Sequence, residues 1–201
     1  MKNLLLFAFI ASTFIFSSCS SDDDDIIVVP LTTVEIEDLK VLREEEKLAR
    51  DVYLYAYDVY GMDIFINISK SEQKHMDKIL TLLNTYNIDD PALANRGEFT
   101  NQTLQGLYNQ LTAQVDISLL EALKVGATIE DLDIKDIIDF ENRTDKADIL
   151  NTYDKLKCGS RNHMRSYYQQ LVNNGVTYSS QFISAAELSA IITSSNEQCG
   201  R

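Results

Sequence analysis

The chain of 201 residues is poor in basic residues and in cysteine, and it has no apolar run long enough to cross a bilayer. The chain has 18 lysines and arginines but 31 aspartates and glutamates. The resulting net charge of -13 argues against binding to nucleic acid and against electrostatic binding to anionic lipid. The three cysteines form no C-x-x-C pair, which excludes a rubredoxin-like iron centre.

The N-terminus has the features of an export signal. Lys2 precedes an apolar run from Leu4 to Phe16, and small residues then lead to Cys19. The segment from Phe16 to Cys19 resembles the lipobox of bacterial lipoproteins, in which the cysteine is lipidated. The alternative is a simple cleaved signal with an incidental cysteine. The lipoprotein resemblance implies anchoring in the bacterial cell envelope, at the outer membrane, facing either the periplasm or the cell surface.

This interpretation divides the chain into three parts. Residues 1–18 are the predicted signal peptide, and residues 19–33 are a lipidated cysteine followed by an acidic, disordered tether. Residues 34–201 form the predicted domain, which is long enough to bury a sizeable core. The lipid is then the expected link to the membrane.

Four segments carry apolar residues at spacings of three and four, which is typical of amphipathic helices. Gly61 is a favourable residue for ending the first, and Asp63 is expected to cap the second. About thirty residues, 87–117, separate the second from the third, and they contain a small amphipathic helix. The sequence therefore predicts an all-α, ferritin-like four-helix bundle with one long crossover between long helices 2 and 3 and a short C-terminal helix.

Each apolar stripe is interrupted by a residue that can bind a metal. These residues are Glu46 in the first helix, Glu72 and His75 in the second, Glu130 in the third and His163 in the fourth. A buried, ionised carboxylate costs several kcal/mol unless it is paired or coordinates a metal. The Glu-x-x-His spacing also puts both side chains of the second helix on one face. The five residues are therefore the predicted ligands of a metal centre.

Two segments resemble the helix motifs of rubrerythrins. Residues 46–53 are similar to their first motif, Glu-x-x-Ala-Arg-x-x-Tyr, and residues 71–75 are similar to their second. The second Glu-x-x-His pair expected in such centres is incomplete, because Ser160 stands three residues before His163. The resemblance implies a di-iron carboxylate centre with a reduced ligand set.

The domain from about residue 34 to residue 200 also resembles an uncharacterised bacterial family of ferritin-like domains. That family carries segments similar to residues 124–132 and 158–163. Ser160 would be an ordinary residue in this family. The resemblance implies the fold but brings no activity with it.

Several assignments stay open at this point. The five side chains either bind a metal or form a metal-free, buried hydrogen-bond network. Asp133 can replace or join Glu130, and His163 is equally explained as a core histidine bonded to Tyr53 or Glu130. Tyr53 is a candidate hydrogen-bond donor to Glu46.

Carboxylate and imidazole ligands without thiolate favour iron, with manganese or zinc as the alternatives. The sequence thus predicts a lipid-anchored metal-binding domain, and di-iron oxidoreductase activity is the further hypothesis. Such an activity would need an external electron donor, because the chain lacks a rubredoxin module. The alternative function is that of a metal-free surface binding or structural lipoprotein with an inherited polar core.

Two cysteines follow Cys19 in the chain, Cys158 and Cys199. An even pair in an exported protein is more often a disulfide than a metal site. The final short helix can bring Cys199 back to the level of Cys158. The sequence therefore predicts a disulfide that holds the C-terminal tail, and the alternative is a buried Cys158 with a frayed tail.

Overall fold

The computed structural model describes residues 30–200, which form six α-helices and no strand. The signal peptide, the lipidated Cys19 and the acidic residues of the predicted tether lie outside the described residues. None of the helices in residues 30–200 is long and apolar enough to cross a bilayer. The helices are α1 (Thr33–Tyr60), α2 (Asp63–Thr85), α3 (Gln102–Val115), α4 (Leu119–Glu141), α5 (Ala147–Asn173) and α6 (Ala185–Thr193).

Local chemistry fixes the ends of the first two helices. The Thr32 hydroxyl and the Glu35 carboxylate form a capping box at the start of α1. Gly61 ends α1 in the left-handed conformation with a φ of 61°. The prediction that Asp63 caps α2 is wrong, because the N-cap position falls on Met62, directly after this turn. Asp63 is the first helical residue, where its negative charge interacts favourably with the helix dipole.

The four long helices form a bundle in which α1 packs along α2 and α4, and α5 packs along the same two helices. At one end, the Thr144 hydroxyl after α4 donates to Glu35 at the start of α1 over 2.6 Å. At the other end, the Tyr60 hydroxyl donates to the Val115 carbonyl, just before α4, over 2.7 Å. Helix α4 is therefore antiparallel to α1. The predicted all-α bundle with a long crossover between α2 and α4 is confirmed, and α3 is the small helix within that crossover.

A fully buried ion pair on α1 holds the crossover against the bundle. The Lys47 ammonium donates to the Asp51 carboxylate over 2.6 Å and to the Asn95 carbonyl over 2.8 Å. Asp51 also accepts a hydrogen bond from the Gly97 backbone N–H over 2.9 Å. Buried ions need such complete pairing to be tolerated. This cluster therefore determines where the crossover lies, and Arg50 of α1 occupies the remaining Asp51 oxygen, Oδ1, over 2.7 Å.

The C-terminal segment is held at two points. The buried Asp131 on α4 accepts hydrogen bonds from the Tyr178 hydroxyl over 2.8 Å and from the Ile183 backbone N–H over 2.9 Å. Further along, Cys158 and Cys199 are joined by a disulfide with their Cα atoms 5.4 Å apart. The Cα separation lies within the usual range for a disulfide. The tail is thus tied to the middle of α5.

The bundle core consists of two separate hydrophobic clusters. The larger includes Phe65 on α2 and Tyr167 on α5, and the smaller includes Leu39 on α1 and Ile79 on α2. Along α1, α2 and α5, the change from one cluster to the other falls at or next to the predicted metal ligands, whereas on α4 it comes after Ile134, about one turn beyond Glu130. A layer of polar side chains therefore crosses the bundle between the two clusters.

Candidate metal centre

Five side chains from four helices meet in this polar layer: Glu46 from α1, Glu72 and His75 from α2, Glu130 from α4 and His163 from α5. None of them is more than 8% exposed. Their positions follow from helix periodicity, because each lies on the stripe that its helix turns to the bundle axis. The structure brings all five predicted ligands together.

The ligand atoms form two groups that share one carboxylate. Glu46, Glu72 and His75 make the first group, and Glu72, Glu130 and His163 make the second. Within each group, the candidate ligand atoms all lie within 4.8 Å of one another. Glu72 belongs to both groups, so one carboxylate connects them.

Both histidines approach Glu72 through Nδ1. His75 Nδ1 lies 2.8 Å from Glu72 Oε2, and His163 Nδ1 lies 2.8 Å from Glu72 Oε1. The two rings are roughly parallel, with centroids 5.6 Å apart and an interplanar angle of 29°. Each imidazole thus flanks one oxygen of the shared carboxylate.

Several of these atoms are close together without being hydrogen-bonded. Glu46 Oε1, Glu72 Oε1 and His163 Nδ1 are buried and have no hydrogen-bond partner in the described part of the chain. The short distance between His163 Nδ1 and Glu72 Oε1 therefore lacks the orientation of a hydrogen bond. Buried polar atoms are rarely left in this state. Their convergence is the geometry expected of ligands that face a common ion.

The comparisons with known proteins agree with this all-helical domain. A family model described as "Uncharacterized protein domain (DUF2202)" matches residues 35–195. The chain belongs to the DUF2202 family. It is also 49% identical over 170 residues to "Uncharacterized protein MJ0754" of Methanocaldococcus jannaschii, covering 84% of this chain and 92% of the relative.

A crystal structure of the hypothetical protein MJ0754 superposes with a TM-score of 0.83 and 49% identity, covering 84% of this chain and 97% of that chain. The DUF2202 fold of this protein is therefore shared with an archaeal relative. Proteins similar to this chain are therefore not confined to bacteria.

The carboxylates of the candidate centre differ in their pKa values. Burial, together with the negative charges of Glu72 and Glu130, raises the pKa of Glu46 to about 7 despite the adjacent His75. Burial also opposes the ionisation of Glu72, but the two imidazoles hold the pKa of Glu72 below its ordinary value. Burial raises the pKa of Glu130. Glu72 is thus the carboxylate that stays ionised most readily.

The histidines are held in their protonated form when only protein groups surround them. Burial alone would lower the pKa of His75, but Glu46 and Glu72 raise it to about 10. Burial likewise opposes the charge on His163, and Glu72 and Glu130 raise its pKa well above the ordinary value. A metal ion binds the neutral imidazole, so metal binding would release protons from this centre.

Three further residues that the sequence indicates lie next to the candidate ligands. The Tyr53 hydroxyl donates to Glu130 Oε1 over 2.5 Å, so the candidate bond from Tyr53 to Glu46 is wrong. This occurs because Tyr53 faces α4 across the bundle rather than its own helix. The buried Ser160 hydroxyl donates to Asp133, which belongs to neither ligand group. Burial and the charges of Glu46 and Glu130 raise the pKa of Asp133 well above its ordinary value.

Two glycines that sequence reasoning missed make room for the centre. A Cβ atom placed on Gly159 would lie 2.5 Å from His75 Nε2, and one placed on Gly126 would lie 2.4 Å from the Tyr167 ring. Both glycines are inside helices, where glycine is unfavourable. The available signal was therefore a glycine in the middle of an otherwise regular helix.

Proposed function

We propose that this protein is a ferritin-like metal-binding protein of the cell envelope, with Glu72 bridging two metal ions. The observation that carries the proposal is the pair of ligand groups that share Glu72, with buried ligand atoms that lack hydrogen-bond partners in the described residues. Glu46 and His75 would complete the first ion's protein ligands, and Glu130 and His163 those of the second.

The donor set determines which ions suit the centre. Carboxylate oxygens and imidazole nitrogens fit iron and manganese, and they also accept zinc. Iron, the metal we favour, would supply one-electron redox chemistry when bound. The chain's own residues would hold the ions, exclude water from the layer and position the Tyr53 hydroxyl against Glu130. An oxidoreductase built on this centre would draw its electrons from an external donor.

Anchoring at the envelope is the second part of the proposal. It is supported by the apolar leader, by Cys19 and by the acidic segment that follows. Labelling of cells with a tagged fatty acid tests it, because the wild-type protein should carry the label and Cys19→Ser should not. Equal labelling of both proteins would exclude Cys19 as the lipidated residue.

Metal content separates the proposed function from the metal-free alternative. The mature chain is purified without chelator from cells supplied with iron, manganese and zinc, and its metals are measured by elemental analysis. We expect about two ions per chain, and loss of bound metal in Glu72→Ala and His75→Ala. Glu37→Ala is the matched control, because Glu37 is an exposed glutamate on α1 and should leave metal content unchanged.

The metal-free alternative has an observation in its favour, which is the internal pairing of charges. His75 and His163 lie close enough to the carboxylates to form ion pairs without any metal. If wild-type protein contains no metal, also after anaerobic incubation with Fe(II), the centre is a buried ion-pair network and the proposed function is wrong.

A further inference from the structure

A small cavity lies beside the polar layer, between α1, α3, α4 and the loop before α6. Its volume is about 60 Å³. Nearly all of its wall is apolar, formed chiefly by Leu48, Ala49, Leu104, Leu107, Leu132 and Phe182. None of these side chains belongs to the two ligand groups. Helix α3 of the long crossover supplies the outer wall, so the cavity exists because the crossover is folded back on the bundle.

The two ends of the cavity differ. At the outer end, Phe182 is 41% exposed and forms part of the surface. The lining also includes two carboxyl side chains, Glu45 and Asp133. At the inner end, the Asp133 carboxylate accepts a hydrogen bond from the buried Ser160. Asp133 is one helical turn from Glu130, and Ala49 is one turn from Glu46, so the inner wall adjoins the metal ligands. The cavity therefore extends from the surface to the edge of the candidate metal centre.

The size and lining of the cavity restrict what it can hold. A cavity of about 150 Å³ lined by apolar side chains stays dry and binds benzene or xenon. A volume of about 60 Å³ is too small for an aromatic ring, and far too small for a drug-sized molecule, whose pockets span roughly 300–1,000 Å³. An apolar wall also disfavours ions and strongly hydrated molecules, because they would lose their hydrogen bonds with water. The remaining class is a small uncharged molecule of two or three non-hydrogen atoms.

We infer that this cavity binds such a molecule and admits it to the metal centre past Asp133. Access to the metal centre rests on the proposed function, whereas binding of a small molecule in the cavity can be tested without metal. The route would be selective by size and charge, because the cavity is small and nearly all of its wall is apolar. Small apolar molecules would reach the ions, and large anions would be kept outside.

The first experiment uses xenon as an apolar probe. Crystals of the wild-type protein are pressurised with xenon, and we expect one xenon atom in the cavity. Ala49→Leu adds three carbon atoms to the cavity wall and should remove that atom. Ala186→Leu is the matched control, since Ala186 is an exposed residue of α6 outside the cavity, and it should retain the xenon. If the cavity of the wild-type protein contains no xenon, the inference that it binds a small apolar molecule is wrong.

The second experiment measures access to the loaded centre. Fe(II)-loaded protein is mixed with dissolved dioxygen in a stopped-flow instrument, and in parallel with ferricyanide, a large trianion. We expect Ala49→Leu to slow the reaction with dioxygen at least tenfold relative to Ala186→Leu, with unchanged iron content and an unchanged rate with ferricyanide. Phe182→Ala, which removes the outer aromatic ring, should speed the reaction with dioxygen.

The outcomes separate the two proposals. If wild-type protein binds no iron, the proposed function is wrong, and the xenon experiment alone decides whether the pocket takes an apolar guest. If iron binds and Ala49→Leu reacts with dioxygen as fast as Ala186→Leu, the access route is wrong. Should Ala49→Leu fail to fold, Leu107→Trp on α3 narrows the outer part of the cavity, away from the ligands, and both measurements are repeated on that variant.

Discussion

Gly159→Ala tests the geometry of the centre without removing a ligand. Gly159 lies in the middle of α5, and a Cβ atom there would be 2.5 Å from His75 Nε2 and 2.6 Å from His75 Cε1. Such distances are shorter than non-bonded contact allows, so the imidazole has to shift. Because Nδ1 of the same ring faces Glu72 and Glu46, this shift would move a ligand atom away from its group.

Two opposing effects determine the stability of Gly159→Ala. Alanine is favoured over glycine inside a helix by about 0.8–1 kcal/mol. Overpacking of a tight core costs roughly 1–3 kcal/mol. We therefore expect a net decrease in the free energy of unfolding of up to about 2 kcal/mol. Displacement of groups that orient a ligand typically weakens metal affinity about 10–100-fold, and we expect a loss in this range.

The assay needs a glycine whose replacement has no steric effect. Gly106 in the middle of α3 provides it, since a Cβ atom there would have no neighbour within 4 Å. Thermal unfolding of the metal-free proteins gives the stability change, and competition with a chromophoric chelator gives the metal affinity. Gly106→Ala should gain stability and keep its affinity. If Gly159→Ala gains stability as Gly106→Ala does and binds metal equally well, the position assigned to His75 is wrong.

Three further predictions concern charge, pH and the disulfide. Glu72→Ala leaves two buried imidazolium groups without their shared partner, so the free energy of unfolding of the metal-free protein at pH 6 should fall by roughly 3–5 kcal/mol in urea titrations; an unchanged midpoint would contradict the ion-pair geometry. Because the folded pKa of His75 is raised to about 10, its stabilising effect is complete below the ordinary value of 6.5 and is lost as pH rises through 10. The melting temperature of the metal-free protein should therefore fall as the pH rises from 6.5 to 10, whereas its metal affinity should increase. A melting temperature that does not change with pH would argue against a charged His75. The double variant Cys158→Ser, Cys199→Ser removes a covalent link between residues that are 41 positions apart in the chain. In urea titrations, its free energy of unfolding should be about 2–4 kcal/mol lower than that of the wild type. Equal stability would mean that the disulfide adds nothing to the other contacts of the tail.

The positions of the candidate ligands were predictable because they depend on one simple property of the chain. Glu46, Glu72 and His75 interrupt apolar stripes at helical spacing, and the stripe of a helix must face the core. The long segment between α2 and α4 similarly predicted the crossover between these two helices. Both inferences need only local periodicity and loop length.

The partners of other buried charges were not predictable in this way. Lys47 and Asp51 are next to the apolar stripe of α1, and nothing in their local sequence shows that the crossover covers them. Asp131 is likewise buried by a loop some fifty residues later in the chain. These contacts depend on where irregular segments pack, and periodicity carries no information about that. The Tyr53 bond was misassigned for a related reason, since helix spacing does not determine which facing helix a long side chain reaches.

The polar layer that separates the two hydrophobic clusters has a consequence for the lifetime of the protein. Without an ion, the buried charges of this layer contribute little net stability. A bound ligand stabilises the folded state by about 2.7 kcal/mol when its free concentration is one hundred times the dissociation constant. Chains that acquire metal would therefore resist proteolysis, and empty chains would be degraded first. The abundance of the protein would then follow the supply of metal, even with constant synthesis.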